Sequence, residues 1–354
     1  DPVLYEAIVT LGDDLYVERF GLREVRTEGP QILLNGEPIW LRGVNRHEDH
    51  PDWGFALPER LMLKDIDIIL ALSCNAVRGS HYPNHPTFLD LCDENGLLFF
   101  AEVPGWQYNA HQLSHSPTKD KLGSMLEEMV TEQFNHPSII VWSLHNECDT
   151  EVSREPDLDV RTATEELFAL ARSLDDTRLI TYVSHRYWRD KHFDLADVVC
   201  LNEYIGWYVD EIDGADFPAY LERMAEMVPD KPILITEFGG SAMATGLENL
   251  MIEQHAAIWS GACVPLAGIP MFWWWQVIDE NNLYKRYPPI RAFMEGVDPR
   301  NPASQIIAAT LSADDKVEKN AAKRFEAVCT ASQDAARGYI HPVRFAREGE
   351  EPPK

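Results

Sequence analysis

The sequence predicts an α/β fold, a (β/α)8 barrel of the TIM type, on three observations. Short apolar or β-branched runs alternate with longer amphipathic segments from Leu33 onward, the pattern of βα units that feed a parallel sheet. Eight such runs lie between residues 38 and 275, which suits a closed barrel of roughly 250 residues better than an open sheet. The segment before them has the period of antiparallel strands.

That opening segment comprises Leu4–Thr10, Tyr16–Phe20 and Gln31–Leu34, alternating apolar and polar residues around turns at Gly12–Asp14 and Asn35–Gly36. Asn-Gly between two such runs is a hairpin signal. A three-stranded piece does not stand alone, so residues 1–30 are expected to pad the barrel's entrance or to be the remnant of a larger β domain. The barrel proper is expected over 31–300. Its strands are predicted at Pro38–Arg42, Ala76–Gly79, Leu97–Glu102, Ile139–Leu144, Leu179–Val183, Val198–Asn202, Ile233–Glu237 and Gly268–Trp275. Helices are predicted at Pro58–Ser73, Pro86–Asn95, Leu122–Asn135, Val160–Leu174, Pro218–Met227 and Leu247–Gly261, with Pro at several starts and Gly or Asn near several ends. Residues 301–354 are Ala- and charge-rich; a helix is expected at Asp314–Ala331, an extended run at Tyr339–Phe345 and a polar tail at Arg347–Lys354.

Composition narrows the function. The chain has 354 residues, 45% of them hydrophobic, with 31 Lys+Arg against 58 Asp+Glu and a net charge of −27. Such an acid excess repels phosphate backbones and anionic headgroups, so neither nucleic acid nor a membrane surface is an expected partner. The six cysteines are widely spread, without a CxxC pair, and read as free thiols. The longest apolar stretch, near Ile269–Trp275, falls far short of the roughly 20 residues a membrane helix needs. A soluble protein is expected, with cytoplasm, periplasm and secretion after processing all left open; a chain opening at Asp1 is compatible with processing.

In a barrel of this kind functional groups gather at the C-terminal ends of the strands. Those ends carry Arg42 to His47, then Arg78 with His81, then Glu102 followed by Trp106, then Asn146–Glu147, Asn202 with Tyr204, Glu237, and Trp273–Trp275. Two glutamates on strands four and seven lie across a barrel mouth from one another. A pair of carboxylates is what glycosidic bond cleavage needs, one protonating the leaving oxygen and one ionised. Trp and Tyr faces stack on the apolar faces of a pyranose while Asn, His and Arg bond its hydroxyls. Taken alone, either glutamate also reads as an ordinary solvated or ion-paired strand end.

Four motifs add a resemblance. Arg42–Gly43–Val44–Asn45–Arg46–His47–Glu48; Asn75–Ala76–Val77–Arg78 running into Ser80–His81–Tyr82–Pro83–Asn84–His85–Pro86; Asn135–His136–Pro137–Ser138 with Trp142–Ser143–Leu144–His145–Asn146–Glu147; and Thr236–Glu237–Phe238–Gly239 together resemble glycoside hydrolase family 2. The match runs in order over about residues 18–280. It implies a retaining exo-β-glycosidase whose barrel follows β-sandwich domains, with Arg19 to Glu24 resembling the exit from the second sandwich. Companion sandwich domains, or a homo-oligomer, are then the expected partners beside a carbohydrate substrate.

Carried over by residue, the resemblance implies Glu147 as general acid/base and Glu237 as nucleophile, with Asn146 on the hydroxyl beside the anomeric carbon. Tyr204 and Arg78 orient the nucleophile, His47 and His81 read hydroxyls, and Trp275 closes the sugar subsite as an aromatic floor, with Trp106 as a further aromatic contact. Arg78 could equally neutralise buried carboxylates, and Trp273 and Trp274 read as core or wall. No cofactor and no metal are expected. The lactose-cleaving branch holds magnesium after strand three, where this sequence has Val103–Pro104–Gly105–Trp106–Gln107. His47–Glu48–Asp49–His50 and His81 with His85 have metal-like spacing, but the latter lies in a turn broken by prolines. A β-galactosidase is the expected activity. A β-glucuronidase or other uronate-specific enzyme is the alternative, with Arg46, Arg186, Lys285 and Arg286 as the cations able to meet a uronate. A carbohydrate-binding protein without turnover is the reading from another class.

Overall fold

The computed structural model describes residues 2–148, 160–187, 189–204, 217–240, 246–296, 298–300, 305–309, 325–331 and 336–342. The chain divides into two compact units, Asp1–Glu28 with Ile32–Leu201, and Gly29–Gln31 with Asn202–Lys354.

The first unit opens with the antiparallel hairpin β1 (Leu4–Leu11) and β2 (Asp14–Gly21), paired from Leu4↔Gly21 to Leu11↔Asp14. Strands β3 (Val25–Glu28), β4 (Gln31–Leu34) and β5 (Glu37–Ile39) form a small sheet in that order. Asn35 and Gly36 both have positive φ, 53° and 83°, the geometry of a type I′ hairpin turn. That turn overrides the strand predicted at Pro38–Arg42. It folds Glu37–Ile39 back on β4, pairing Ile32↔Ile39, so the first parallel strand, β6, begins later at Gly43–Arg46. Asn75 fixes the transition: its side chain accepts from Arg42 N at 2.7 Å and donates to Trp40 O at 3.1 Å.

From β6 the sheet proceeds in register through β7 (Ala76–Gly79), β8 (Leu98–Glu102), β9 (Ile139–Asn146), β10 (Leu179–Ser184) and β11 (Val199–Glu203). Neighbours are parallel, with Asn45↔Arg78, Arg78↔Phe100, Glu102↔Ser143 and Val183↔Cys200 opposed. Every residue of β7 and β9 is buried, which is why these strands read as continuous rather than alternating apolar runs. The crossovers are α1 (Glu59–Ala71), α2 (Pro86–Asn95), α3 (Ala110–Ser114), α4 (Ser116–Gln133) and α5 (Val160–Leu174). α1 buries Met62, Ile66 and Ile69, one stripe at helical spacing. α2 has Pro86 in its first turn and ends at Gly96 with φ 66°, as its boundary residues predict. α4 starts six residues before the predicted Leu122, because Pro117 is compatible with a first helical turn.

The second unit takes the end of β11, its sheet neighbour β12 (Ile233–Phe238), and the helices α6 (Phe217–Met227), α7 (Leu247–Gly261), α8 (Trp275–Glu280) and α9 (Pro288–Met294). The eighth strand is reduced. Ala267 N and Met271 N donate to Ile233 and Ile235, and Phe238 N and Trp273 N exchange bonds with Met271 O and Phe238 O, leaving only a parallel bridge Phe238↔Phe272. Pro270 contributes no donor, so the run cannot complete a regular ladder. Seven regular strands and this run make the α/β barrel that the sequence predicts.

The predicted C-terminal helix is corrected over its described part. Residues 325–331 form strand β14, between β13 (Gln305–Ala309) and β15 (Ala336–Pro342) in an antiparallel sheet. Val328 and Thr330 are β-branched, and pairing on both sides, Val328 with Ala308 and Tyr339, outweighs the helical preference of the alanines. Residues 314–324 and 343–354 lie outside the described residues. No described helix is long and apolar enough to cross a membrane. Cys74, Cys92, Cys148, Cys200 and Cys263 are buried free thiols.

Candidate active site

In the first unit four neighbouring strand ends meet at one guanidinium. Arg78, at the end of β7, donates from Nη2 to Glu102 at 2.9 and 3.1 Å and to Asn146 Oδ1 at 2.8 Å, and from Nη1 to Asn45 at 3.2 Å. Glu102 also accepts from Ser143 Oγ at 2.8 Å and from His81 Nδ1 at 2.7 Å. Burial alone would raise the Glu102 carboxyl; the Arg78 charge and the His81 bond outweigh it and hold it at about 2. An ionised carboxylate only accepts, so His81 carries a proton on Nδ1. Asn146 is oriented in the same way, with Oδ1 turned to Arg78.

Glu147 follows as a half-buried residue in a left-handed conformation, φ 50°. That geometry costs about 1–2 kcal/mol for a residue with a Cβ and is held from both sides. Glu147 N donates to Val183 O at 2.8 Å, Asn146 N to Gly105 O at 2.8 Å, and Gln107 N to Asn146 O at 2.9 Å. The Gln107 amide then donates to Glu147 Oε2 at 3.0 Å. Gly105 leaves room at this approach, where a Cβ would lie 2.6 Å from Leu122 Cδ2 and 3.3 Å from His145 Cβ and would make the Leu122 side chain shift. Behind Asn146, burial pushes the His145 imidazole down to about 4, so it packs as a neutral ring 5.0 Å from Tyr182. His47 meets His81 edge-on at 5.3 Å, and Trp106 stacks parallel to His81 at 6.5 Å.

The second unit holds Glu237 at the end of β12, 2% exposed, with the Tyr204 hydroxyl donating to its Oε2. Beside them Thr236 Oγ1 donates to Asn202 Oδ1 at 2.8 Å. After Phe238 the chain passes through Gly239 at φ 144°, where a Cβ would lie 2.9 Å from Trp274. Trp275 does not end a strand. It opens α8 and is 38% exposed, because Val277 N and Ile278 N already donate to Trp274 O. Trp273 and Trp274 are half-buried and pack edge-to-face at 4.7 Å.

The structure thus brings Arg78, His81, His47, Trp106, Asn146 and Glu147 together in one unit, and Tyr204 with Glu237 in the other. Residues 25–260 match the model of glycosyl hydrolases family 2, TIM barrel domain. The chain belongs to this family. It is 34% identical over 252 residues to a β-glucuronidase of Streptococcus agalactiae, covering 65% of this chain and 41% of that protein. It is 36% identical over 252 residues to a β-galactosidase of Thermoanaerobacterium thermosulfurigenes, covering 69% and 32%. Among solved structures, the family 2 β-galacturonidase of Eisenbergiella tayi bound to galacturonate matches with TM-score 0.67 and 34% identity, over 77% of this chain and 50% of that one. The chain spans less than half the length of those two curated relatives.

Within this family 2 barrel several residues escape sequence reasoning. Glu102 ends a predicted strand, yet nothing in spacing shows that it meets Arg78, His81 and Ser143 at once. Gln107 lies in a loop whose backbone must be seen to reach Glu147. Glu203, between Asn202 and Tyr204, is buried and accepts from Tyr220 OH at 2.7 Å, its other oxygen without a hydrogen bond among the described residues; burial pushes its carboxyl up to about 8. Of the four cations suited to a uronate, Arg46 is spent on Glu48 at 2.9 Å, Asp65 at 3.0 Å and Asn84 at 2.9 Å. Arg186 and Lys285 are exposed, and Arg286 donates to Met251 O and to Gln254. Of the histidines with metal-like spacing, His50 and His85 serve the backbone, accepting from Asp52 N and Thr87 N, each at 3.1 Å. Among the described residues Asp90, Asp93 and His136 bring ligand-type atoms within 4.8 Å of one another. Asp93 already accepts from His136 at 2.6 Å and Ser138 N at 2.8 Å, and Asp90 pairs with Arg19, an arrangement that ties β2 and α2 to the start of β9.

Proposed function

We propose that this barrel hydrolyses terminal β-linked sugars with retention of configuration. The observation that carries the reading is the hydrogen bond from Tyr204 to Glu237, which orients a buried carboxylate at a strand end as a nucleophile requires. Glu237 attacks the anomeric carbon while Glu147 protonates the glycosidic oxygen, releasing the alcohol and leaving a glycosyl ester. Glu147, now ionised, takes a proton from water, whose oxygen attacks the same carbon and frees Glu237. Asn146, locked by Arg78, bonds the neighbouring hydroxyl. His81 and His47 read other hydroxyls, and Trp106 and Trp275 supply apolar contact. Retention requires the two carboxyls to stand about 5–5.5 Å apart in the working site.

For the sugar, a β-galactoside is the first reading, supported by the engagement of Arg46 with Glu48 and Asp65. A β-uronide is the second, supported by likeness to the β-glucuronidase and β-galacturonidase named above. Residues 1–30 are proposed to belong with a β-sandwich domain: β1 and β2 expose Ile8 at 63%, Leu11 at 80% and Leu15 at 65%, and an isolated hairpin is marginal in water. A panel of nitrophenyl β-galactoside, β-glucuronide and β-galacturonide tests the proposal. Release of nitrophenol from one of them supports a glycosidase and names the sugar; release from none, with the sugars still bound, supports a binding protein instead.

A further inference from the structure

Three residues beyond Glu237, the backbone of the second unit is gripped by two side chains. Glu253, on α7, accepts from Gly240 N at 2.9 Å, and Trp274, just before α8, donates from Nε1 to Gly240 O at 2.9 Å. The N–H and the C=O of one residue are thus both taken by side chains, from positions 13 and 34 residues further along the chain. The fit is close. A Cβ at Gly240 would stand 2.8 Å from Glu253 Oε2, and one at Gly239 would stand 2.9 Å from Trp274 Cδ1, so two glycines in succession let the carboxyl and the indole come this near.

The chemistry above leaves Glu253 without a part. An acid is a costly choice for its place on the helix, since burial pushes the carboxyl up to about 7 against the opposing pull of the Gly240 bond, whereas an apolar side chain would pack there without that penalty. What the grip fixes is the exit from β12. Met271 N donates to Ile235 O and Phe238 N to Met271 O, each at 3.0 Å, and Trp273 N donates to Phe238 O at 2.9 Å. Glu237 stands among these bonds, and directly after them Gly239 and Gly240 bring the greatest backbone freedom of any residue type. A displacement of about 1 Å at a reacting group costs on the order of 100-fold in rate. We propose that Glu253 is a positioning residue for the nucleophile: by holding the Gly240 amide it fixes the turn that follows Glu237 and, with it, the direction of the Glu237 carboxylate. This rests on the assignment of Glu237 as nucleophile.

The test compares the full native chain with three variants. Glu253→Leu fills the space but cannot accept, Glu253→Gln keeps an acceptor oxygen, and Gly240→Ala brings a Cβ that displaces the carboxyl. Each is assayed near pH 6, where a carboxyl held at about 7 is mostly neutral and Gln is its closest mimic, on the nitrophenyl glycoside that the native chain cleaves. Glu253→Leu and Gly240→Ala should lower kcat roughly 10- to 100-fold with KM unchanged, and Glu253→Gln should restore most of the rate. Hydrogen exchange in the peptide containing Gly240, followed by mass spectrometry, should speed up in Glu253→Leu and stay slow in Glu253→Gln. If Glu253→Leu does not fold, Gly240→Ala carries the comparison. Unchanged kcat in the disrupting variants would overturn the proposal, as would equal losses in Glu253→Leu and Glu253→Gln. A raised KM with kcat kept would overturn it too, because the grip would then act on the sugar subsite through Trp274 and Trp273. A native chain that cleaves nothing in the panel contradicts the nucleophile assignment and this proposal with it, an outcome distinct from a cleaving native chain that Glu253→Leu leaves equally fast.

Discussion

Arg78 and Glu102 form an ion pair at 2.9 Å with side chains 1% and 0% exposed. Such a pair depends on further hydrogen bonds to its charged groups, and here Asn45 and Asn146 accept from the guanidinium while His81 and Ser143 donate to the carboxylate. Glu102→Gln removes the carboxylate charge beside buried Arg78 and should cost about 3–5 kcal/mol of stability, measured by urea denaturation. Because the folded carboxyl is held at about 2 against an ordinary 4.5, its contribution is present above pH 4.5 and lost as pH falls towards 2. A variant as stable as the native chain at pH 7 would show that the pair holds nothing together.

Glu203 predicts the opposite pH dependence. Its folded carboxyl lies near 8 against an ordinary 4.5, so its contribution is complete below 4.5 and disappears as pH rises to about 8. Glu203→Gln keeps the shape without the charge. Melting temperatures of the two proteins should agree near pH 4 and diverge up to pH 8, with the variant melting higher. A gap that does not widen with pH would remove Glu203 as a buried neutral acid.

How far these features can be read from sequence depends on whether the signal is local. β7, α2, α5 and α7 fall at the predicted bounds, since each is marked by its own apolar period and boundary residues. Gly268–Trp275 misleads because its apolar content promises a strand while Pro270 withholds a donor. Asp314–Ala331 misleads because the pairing that makes 325–331 a strand comes from β13 and β15. In the site, Glu147, Glu237 and Arg78 announce themselves in motifs. Glu102 and Glu203 do not, because their significance lies in partners 24 and 17 residues away.

Tyr204→Phe removes only the hydroxyl that bonds Glu237. A hydrogen bond to a charged group contributes about 1.5–3 kcal/mol, so kcat should fall roughly 10- to 100-fold while melting temperature stays close to native. Unchanged kcat would mean that Tyr204 does not position the carboxylate, and a collapse of melting temperature would make its role structural.

The assignment of Glu147 and Glu237 is tested most directly by comparing leaving groups. Kinetics of Glu147→Ala and Glu237→Gln should be measured on dinitrophenyl and methyl β-glycosides of the sugar that the nitrophenyl panel selects. The account predicts that Glu147→Ala spares glycosyl transfer from the dinitrophenyl substrate, whose leaving group departs without protonation, and loses the methyl glycoside, whereas Glu237→Gln loses both. Equal losses on the two substrates in both variants would contradict the division of roles between the two glutamates.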